Sequence, residues 1–224
     1  MVVIEPHYLP LLEFFCAVID QEAILLDAHA HFQKQSLRTR TTILTAAGPL
    51  DLRVPVIHPA GLPIGRVPLC QVRIDYSSRW PMRHWRTIVS AYRKAPYFEH
   101  YAEDFHDLLL AEKESVFTLN MEILRLCLRF LNLKTPIRTT DSYQDRYEAL
   151  DLRNVLNAKE DHSKRDFFRS SPYQQVFGGT FLPNLSVLDV IFCCGPDAGR
   201  IIDMSAVRNR RKSKEQGDHR GASS

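Results

Sequence analysis

Residues 1–27 constrain the fold more than any other stretch. Val2 to Glu5 is a short apolar run halted by Pro6, the pattern of a strand. Pro10 suits the opening of a helix, and Leu11, Phe14, Phe15, Val18 and Ile19 recur at helical spacing. Ala23 to Asp27 is strand-like again. A strand, a short loop, a helix and a second strand in this order favour a parallel pair with the helix as crossover. The predicted class is α/β: a strand-loop-helix-strand N-terminal unit, a mixed sheet with a hairpin, then a helical segment and a C-terminal helix.

The remainder of the chain fills in that plan. Thr41 to Leu44 and Leu50 to Ile57 flank Ala47-Gly48-Pro49 and predict a hairpin. Residues 58–68 are rich in Pro and Gly and predict a loop. Cys70, Val72, Ile74 and Tyr76 alternate with polar residues, as a half-buried strand does. Pro81 opens a helix striped by Trp85, Ile88, Val89 and Tyr92, which Pro96 breaks. Phe98, Tyr101, Phe105, Leu108 and Leu109 mark a second helix, and Ser115 is placed to cap a third over Val116 to Leu131. Residues 157–171 are polar and predict a long loop. Asn184 is the expected N-cap of a last helix ending near Gly195.

The 224 residues suit one decorated domain, here 1–204, better than two. Charge divides the chain at the same place. Residues 205–224 hold six Lys/Arg against two acids, leaving 23 against 24 in the rest. The net +3 is therefore a near-neutral body and a basic tail, expected to be disordered, and the body lacks the basic face that nucleic-acid binding needs. Five widely spaced cysteines in apolar surroundings argue for free thiols in a reducing compartment. No apolar run is long enough to span a bilayer, and the first residues lack the pattern of a signal peptide, so a soluble cytoplasmic protein is expected.

Three clusters suggest chemistry. In an extended strand Asp27, His29 and His31 project to one face, so two imidazoles and a carboxylate are candidates for a transition metal, a phosphate contact or a general base. A polar loop at the strand end is the plainer alternative. Lys34, Arg38 and Arg40 follow, and Arg38 and Arg40 share a face if extended; such a set suits a phosphate or carboxylate. Their position after a strand end in an α/β unit is where ligand sites gather. His7 and Tyr8 sit between Pro6 and Pro10 in a stiffened strand-to-helix loop. Trp80, His84, Trp85 and Tyr92 form an aromatic-rich helix start, suited either to stacking on a sugar or base or to the core.

In order, several segments resemble the bacterial WbqC-like family. Ile4-Glu5-Pro6-His7-Tyr8-Leu9-Pro10 through Phe14-Phe15 is similar to that family's opening signature. Phe32, Lys34, Ser36, Arg38 and Arg40 are similar to its Phe-x-Lys-x-Ser-x-Arg-Asn-Arg stretch, with Thr39 in place of Asn. Ile74 to Ser77, Trp80, His84 to Ile88, Tyr92, Ala95 and Pro96 resemble the middle block, and Phe181 to Asp189 with Gly195-Pro196 the closing one. The resemblance implies a part in lipopolysaccharide O-antigen or related cell-surface glycan assembly, with no mechanism attached.

Together these readings predict a transferase acting on an amino sugar or nucleotide sugar. His7 or His31 would be the base, and Lys34, Arg38 and Arg40 would hold phosphate or an acyl-type ligand. Tyr8, Trp80, His84 and Trp85 would contact the remainder of the substrate. The cofactor is left open, and the expected partner is a small molecule rather than nucleic acid. The competing reading is a non-catalytic accessory protein of the same pathway.

Overall fold

The structure is a computed structural model that describes residues 1–57, 63–157 and 160–208, the side chain of Ile64 excepted. Strand β1 (Val2–Ile4) is a run of β-branched residues with no exposed face, and all three are fully buried. That is the signature of a strand covered on both sides, as parallel sheets are. Helix α1 (Leu12–Val18) returns the chain to β2 (Ile24–Leu26), which pairs parallel with β1. The opening unit is thus the crossover its sequence predicts.

The hairpin follows as β3 (Arg40–Thr45) and β4 (Gly48–Arg53), paired antiparallel from Arg40↔Arg53 to Thr45↔Gly48. The second arm, expected to run to Ile57, is split. Pro55 has no N–H to continue the ladder, and β5 (Val56–Ile57) pairs instead with β6 (Arg73–Ile74). The expected strand over Cys70 to Tyr76 shrinks to those two residues of β6. Leu69 N and Cys70 N bond to Ala30 O and Ala28 O at 2.9 Å each, so this stretch is folded as a 3-10 turn against residues 28–30. Of the predicted loop 58–68, residues 58–62 lie outside the described residues.

Helices α2 (Trp80–Tyr92), α3 (Phe98–Leu110) and α4 (Val116–Phe130) occupy the middle of the chain. Ser115 caps α4, its hydroxyl accepting from Thr118 N at 3.1 Å. Two strands then return to the sheet. β7 (Ile137–Thr139) pairs parallel with β2 and β8 (Leu150–Asp151) pairs parallel with β1, giving the order β7-β2-β1-β8. The parallel strands and the antiparallel pairs therefore lie in separate sheets.

The loop predicted for 157–171 contains a single 3-10 turn, His162–Lys164, among its described residues. Helix α5 (Val187–Cys194) is capped by Ser186, which accepts from Leu188 N, and not by Asn184. Asn184 takes a left-handed φ of 54° and accepts from Glu13 N at 3.0 Å, turning the chain toward α1. Gly195 ends α5 at φ 54°, where a Cβ would lie 2.4 Å from the Tyr97 ring. Helix α6 (Ala198–Ser205) follows.

Arg208, the last described residue, bonds Asp20 and Asp203 and so ties the start of the basic tail to the body. The tail's residues 209–224 lie outside the described residues. All five cysteines are free thiols. Among the described residues no helix is long and apolar enough to cross a membrane.

Candidate functional site

Because the four sheet strands are parallel, their carboxyl ends open on one edge. Glu5 to His7 leave β1 there, Asp27 to His31 leave β2, Thr140 leaves β7, and Arg153 and Asn154 leave β8. From β1 the chain crosses by α1 to β2 on one side, while β8 lies on the other. A crevice outside the carboxyl ends at such a reversal is where α/β sheets place ligands.

The innermost layer is a buried ion pair. Glu5 and Arg38 are each 1% exposed, with Arg38 Nη2 3.1 Å from Glu5 Oε1. Asn154 closes the group: its backbone N–H donates to both Glu5 oxygens, at 3.1 and 3.2 Å, and its side-chain oxygen accepts from Arg38 Nη2 at 2.7 Å. Asn120 donates to the carbonyls of Pro6 and Arg38, at 3.1 and 2.7 Å. Burial alone would push the Glu5 carboxyl up. The Arg38 guanidinium, His7 and a backbone hydrogen bond outweigh it and hold the group below the usual carboxylate range.

These contacts bring the His7 loop and the 29–40 segment together. Tyr8 N also donates to Leu37 O at 2.9 Å. His7, however, is 1% exposed, 3.9 Å from Glu5 Oε1 and packed on Phe14, so its ring faces the core. Among the described residues Arg38 is held through Nη2 alone, by Glu5 and Asn154, and its buried Nε has no hydrogen-bond partner. It lies in a turn outside β3 instead of extending it, so Arg38 and Arg40 do not share a face. Arg40 lies 3.5 Å from Asp51. Lys34 is exposed and makes no ion pair among the described residues.

Asp27, His29 and His31 do not line up either. Strand β2 stops at Leu26, and Asp27 accepts from His29 N at 3.0 Å, which turns the chain. Its carboxylate is also bonded by Thr140 Oγ1 at 3.1 Å and Arg153 Nη1 at 2.9 Å. Among the described residues no three His, Cys, Asp or Glu are arranged to hold a metal ion. His31 is set apart by its neighbours: Ala30 and Phe32 are buried against residues 67–69, and His31 between them points outward. Its ring stacks on Tyr143, centroids 4.7 Å apart and planes 9° from parallel.

Arg153 organises the outer layer. Nε and Nη2 bond the Asp151 carboxylate, Nη1 bonds Asp27 and Gln144 O, and Nη2 also reaches Asp145 O. Every guanidinium nitrogen is engaged, and the group lies 4.7 Å from the Tyr147 ring centroid. Hydrogen bonding from Arg153 holds the Asp151 carboxyl below its ordinary range, against burial. The result is a clasp fixing the loop that carries Tyr143 over His31. Around them opens a cavity of about 710 Å³, walled by His31, Gln33, Tyr143, Asp145, Asp151 and Asn154.

The aromatic candidates lie elsewhere. Trp80 is 1% exposed and stacks on Tyr76, while Tyr8 and His84 pair at 2.8 Å in the same buried group. Burial, with Arg83 nearby, pushes His84 down to about 4, and its Nδ1 and the Tyr8 hydroxyl share one hydrogen bond within the buried group. Trp85 packs between Phe98 and His106 on α3. None of Tyr8, Trp80, His84 or Trp85 lines the cavity beside His31. Sequence reasoning missed Tyr143, Arg153 and Asn154. The one local signal was Asp151-Leu152-Arg153, two charges flanking an apolar residue just after a strand-length stretch.

These features define an α/β protein whose polar residues gather at the carboxyl edge of a short parallel sheet. A protein-family model matches residues 5–167 and 159–201, and the chain belongs to the WbqC-like protein family. No curated protein and no solved structure matches it significantly.

Proposed function

We propose that this chain is a transferase of bacterial cell-surface polysaccharide biosynthesis, of the O-antigen type, acting on an amino sugar that is free or borne on a carrier. The observation that carries the reading is the cavity beside His31. Its described lining offers an exposed imidazole, a stacked phenol and Asp145, while Asp151 and Arg153 bind each other. An ammonium-bearing sugar finds acceptors there, and the flat His31–Tyr143 pair offers a face for its ring. A bare phosphate finds no free guanidinium among the described lining residues. Arg38 and Arg40 are held by carboxylates, which leaves Lys34. His31 is the one of the two proposed bases that reaches solvent, and it is placed to accept a proton from the substrate's amine or hydroxyl. The pathway is supported by the resemblance to a family whose naming member is associated with O-antigen gene clusters.

Calorimetric titration tests this with glucosamine, N-acetylglucosamine and a nucleotide sugar against wild type, His31→Ala and Asp145→Asn. Glucosamine is expected to bind tightest, and Asp145→Asn to erase its advantage over the N-acetylated sugar. Equal affinity for the two sugars in wild type removes the amine from the proposal. Failure of all three ligands leaves the accessory-protein reading.

A further inference from the structure

The buried Glu5–Arg38 pair ends on the wall of the His31 cavity. As the chain leaves β8 it turns over residues 152–155, closed by Val155 N donating to Leu152 O at 3.1 Å. Asn154, third in that turn, is exposed, lines the cavity and takes a left-handed φ of 61°. A residue with a Cβ disfavours that backbone, and Asn tolerates it better than most. What holds it lies beneath. The backbone N–H of Asn154 donates to both Glu5 oxygens, and its side-chain oxygen accepts from Arg38 Nη2. The pair is braced from the other side by Asn120 of α4, which donates to Pro6 O and Arg38 O.

Stability does not account for this arrangement. Taking two charges out of water offsets most of their mutual attraction, and well-packed apolar residues of similar volume stabilise a core as well or better. Arg38 Nε and Asn120 Oδ1, buried without a hydrogen-bond partner among the described residues, add to the cost. What the charged pair supplies, and apolar side chains cannot, is direction: three of its bonds converge on Asn154. Arg153 is the second residue of the same turn. Its guanidinium bonds Asp27, Gln144 O and Asp145 O, and the backbone held at 144–145 follows directly on Tyr143, which stacks on His31. A continuous line of contacts thus runs from the buried pair to the open face of the cavity.

We infer that Glu5 and Arg38 are positioning residues of the cavity, holding the 152–155 turn so that Arg153 fixes Tyr143 over His31. This rests on the reading above only for what the cavity binds, because the placement of the two rings is measurable without a ligand. The test is the NMR shift of the His31 ring protons in the full chain, which the facing phenol displaces; Tyr143→Ala supplies the unstacked reference. Glu5→Leu with Arg38→Met removes both charges and should carry the His31 signals to the Tyr143→Ala position. Glucosamine affinity should fall with them by about tenfold, as loss of a stacked face implies. Gly195→Ala lowers stability on the helical side and should leave the His31 signals where wild type has them. Asn154→Val, at the surface with the pair intact, gives a second reading should the double variant fail to fold. Its branched side chain disfavours the left-handed φ and should unstack the rings, whereas Asn154→Gly adopts that φ freely and should keep the wild-type signals.

His31 signals that stay in place in both the double variant and Asn154→Val overturn the positioning role and leave the pair as packing. Signals that move equally in Gly195→Ala overturn it as well, since lost stability alone then separates the rings. Signals that move as expected, in a protein whose wild type binds no glucosamine, uphold the positioning role and remove the amino-sugar reading.

Discussion

At the carboxyl edge of the sheet, charged side chains are buried in groups bonded to one another: Glu5 with Arg38 and Asn154, Asp27 with Arg153 and Thr140. Among α2, α3 and α5 the buried material is aromatic, with Tyr92, Phe98 and Phe105 all ringed around Phe192. The first region depends on every partner being present, because a buried charge left alone costs several kcal/mol. The second depends on volume, so a loss is proportional to what is removed. Histidines and aromatics occur in both, which is why residue type alone does not separate a site from a core here.

The largest expected effect tests that dependence directly. Arg38→Ala leaves Glu5 buried without its cation and should cost about 3–5 kcal/mol in urea unfolding. Glu5→Gln with Arg38→Met should cost clearly less than the two single changes added together. Simple additivity would mean that the pair is not coupled and that the two regions obey the same rule.

Acid should expose the next difference. His84 has a folded pKa of about 4 against an ordinary 6.5, so the unfolded chain takes up a proton that the folded one refuses. Its stabilising share is whole above pH 6.5 and disappears as the pH falls toward 4, on the order of 3 kcal/mol. Glu5, held below the ordinary carboxylate range, acts in the same direction at lower pH. In Tyr8→Phe the Nδ1 of His84 loses its hydrogen-bond partner, and stability near neutral pH should fall by about 1–3 kcal/mol. A flat stability profile between pH 7 and 4 would place His84 in water and dissolve the buried group it anchors.

How much of this was legible in the sequence follows from the range of the interactions. The crossover β1-α1-β2 and the Ser115 cap are written locally, in β-branched runs, proline boundaries and a hydroxyl before an apolar stripe. Strands β7 and β8 are only three and two residues long, and what makes them strands is their parallel pairing to β2 and β1 far back in the chain. The site divides in the same way. His31 stands out by residue type alone, but Arg153 acquires its place from Asp27, 126 residues away, and Tyr143 from its stack on His31. Conversely, Trp80, His84 and Trp85 stand close on one helix, as their spacing says, and it is the packing of Tyr8, Tyr76 and Phe98 over them that makes them core.

A smaller effect belongs to the helical side. Gly195→Ala places a methyl against the Tyr97 ring at a left-handed φ and should cost about 1–3 kcal/mol, with no change in any ligand affinity. Loss of sugar binding in this variant would connect two regions that the structure keeps apart.

Tyr143→Ala should move stability least and yet say most about the site. The side chain is 45% exposed, and its contacts are the His31 stack and the edge of the Arg153 clasp. Arg153 keeps its bonds to Asp27, Asp151, Gln144 O and Asp145 O without it, so the loop retains its anchor. An exposed aromatic pair contributes about 0.5–1.5 kcal/mol, and thermal unfolding should stay near the low end of that range. Sugar affinity, however, should fall by about tenfold, because the ring then finds a single imidazole where it had a stacked pair. Tyr143→Phe keeps the face and should restore binding, whereas Arg153→Ala frees the loop and should lose both stability and binding. If Tyr143→Ala binds as wild type does, the outer layer is a clasp alone and the sugar lies elsewhere in the cavity, against Gln33 and Asn154.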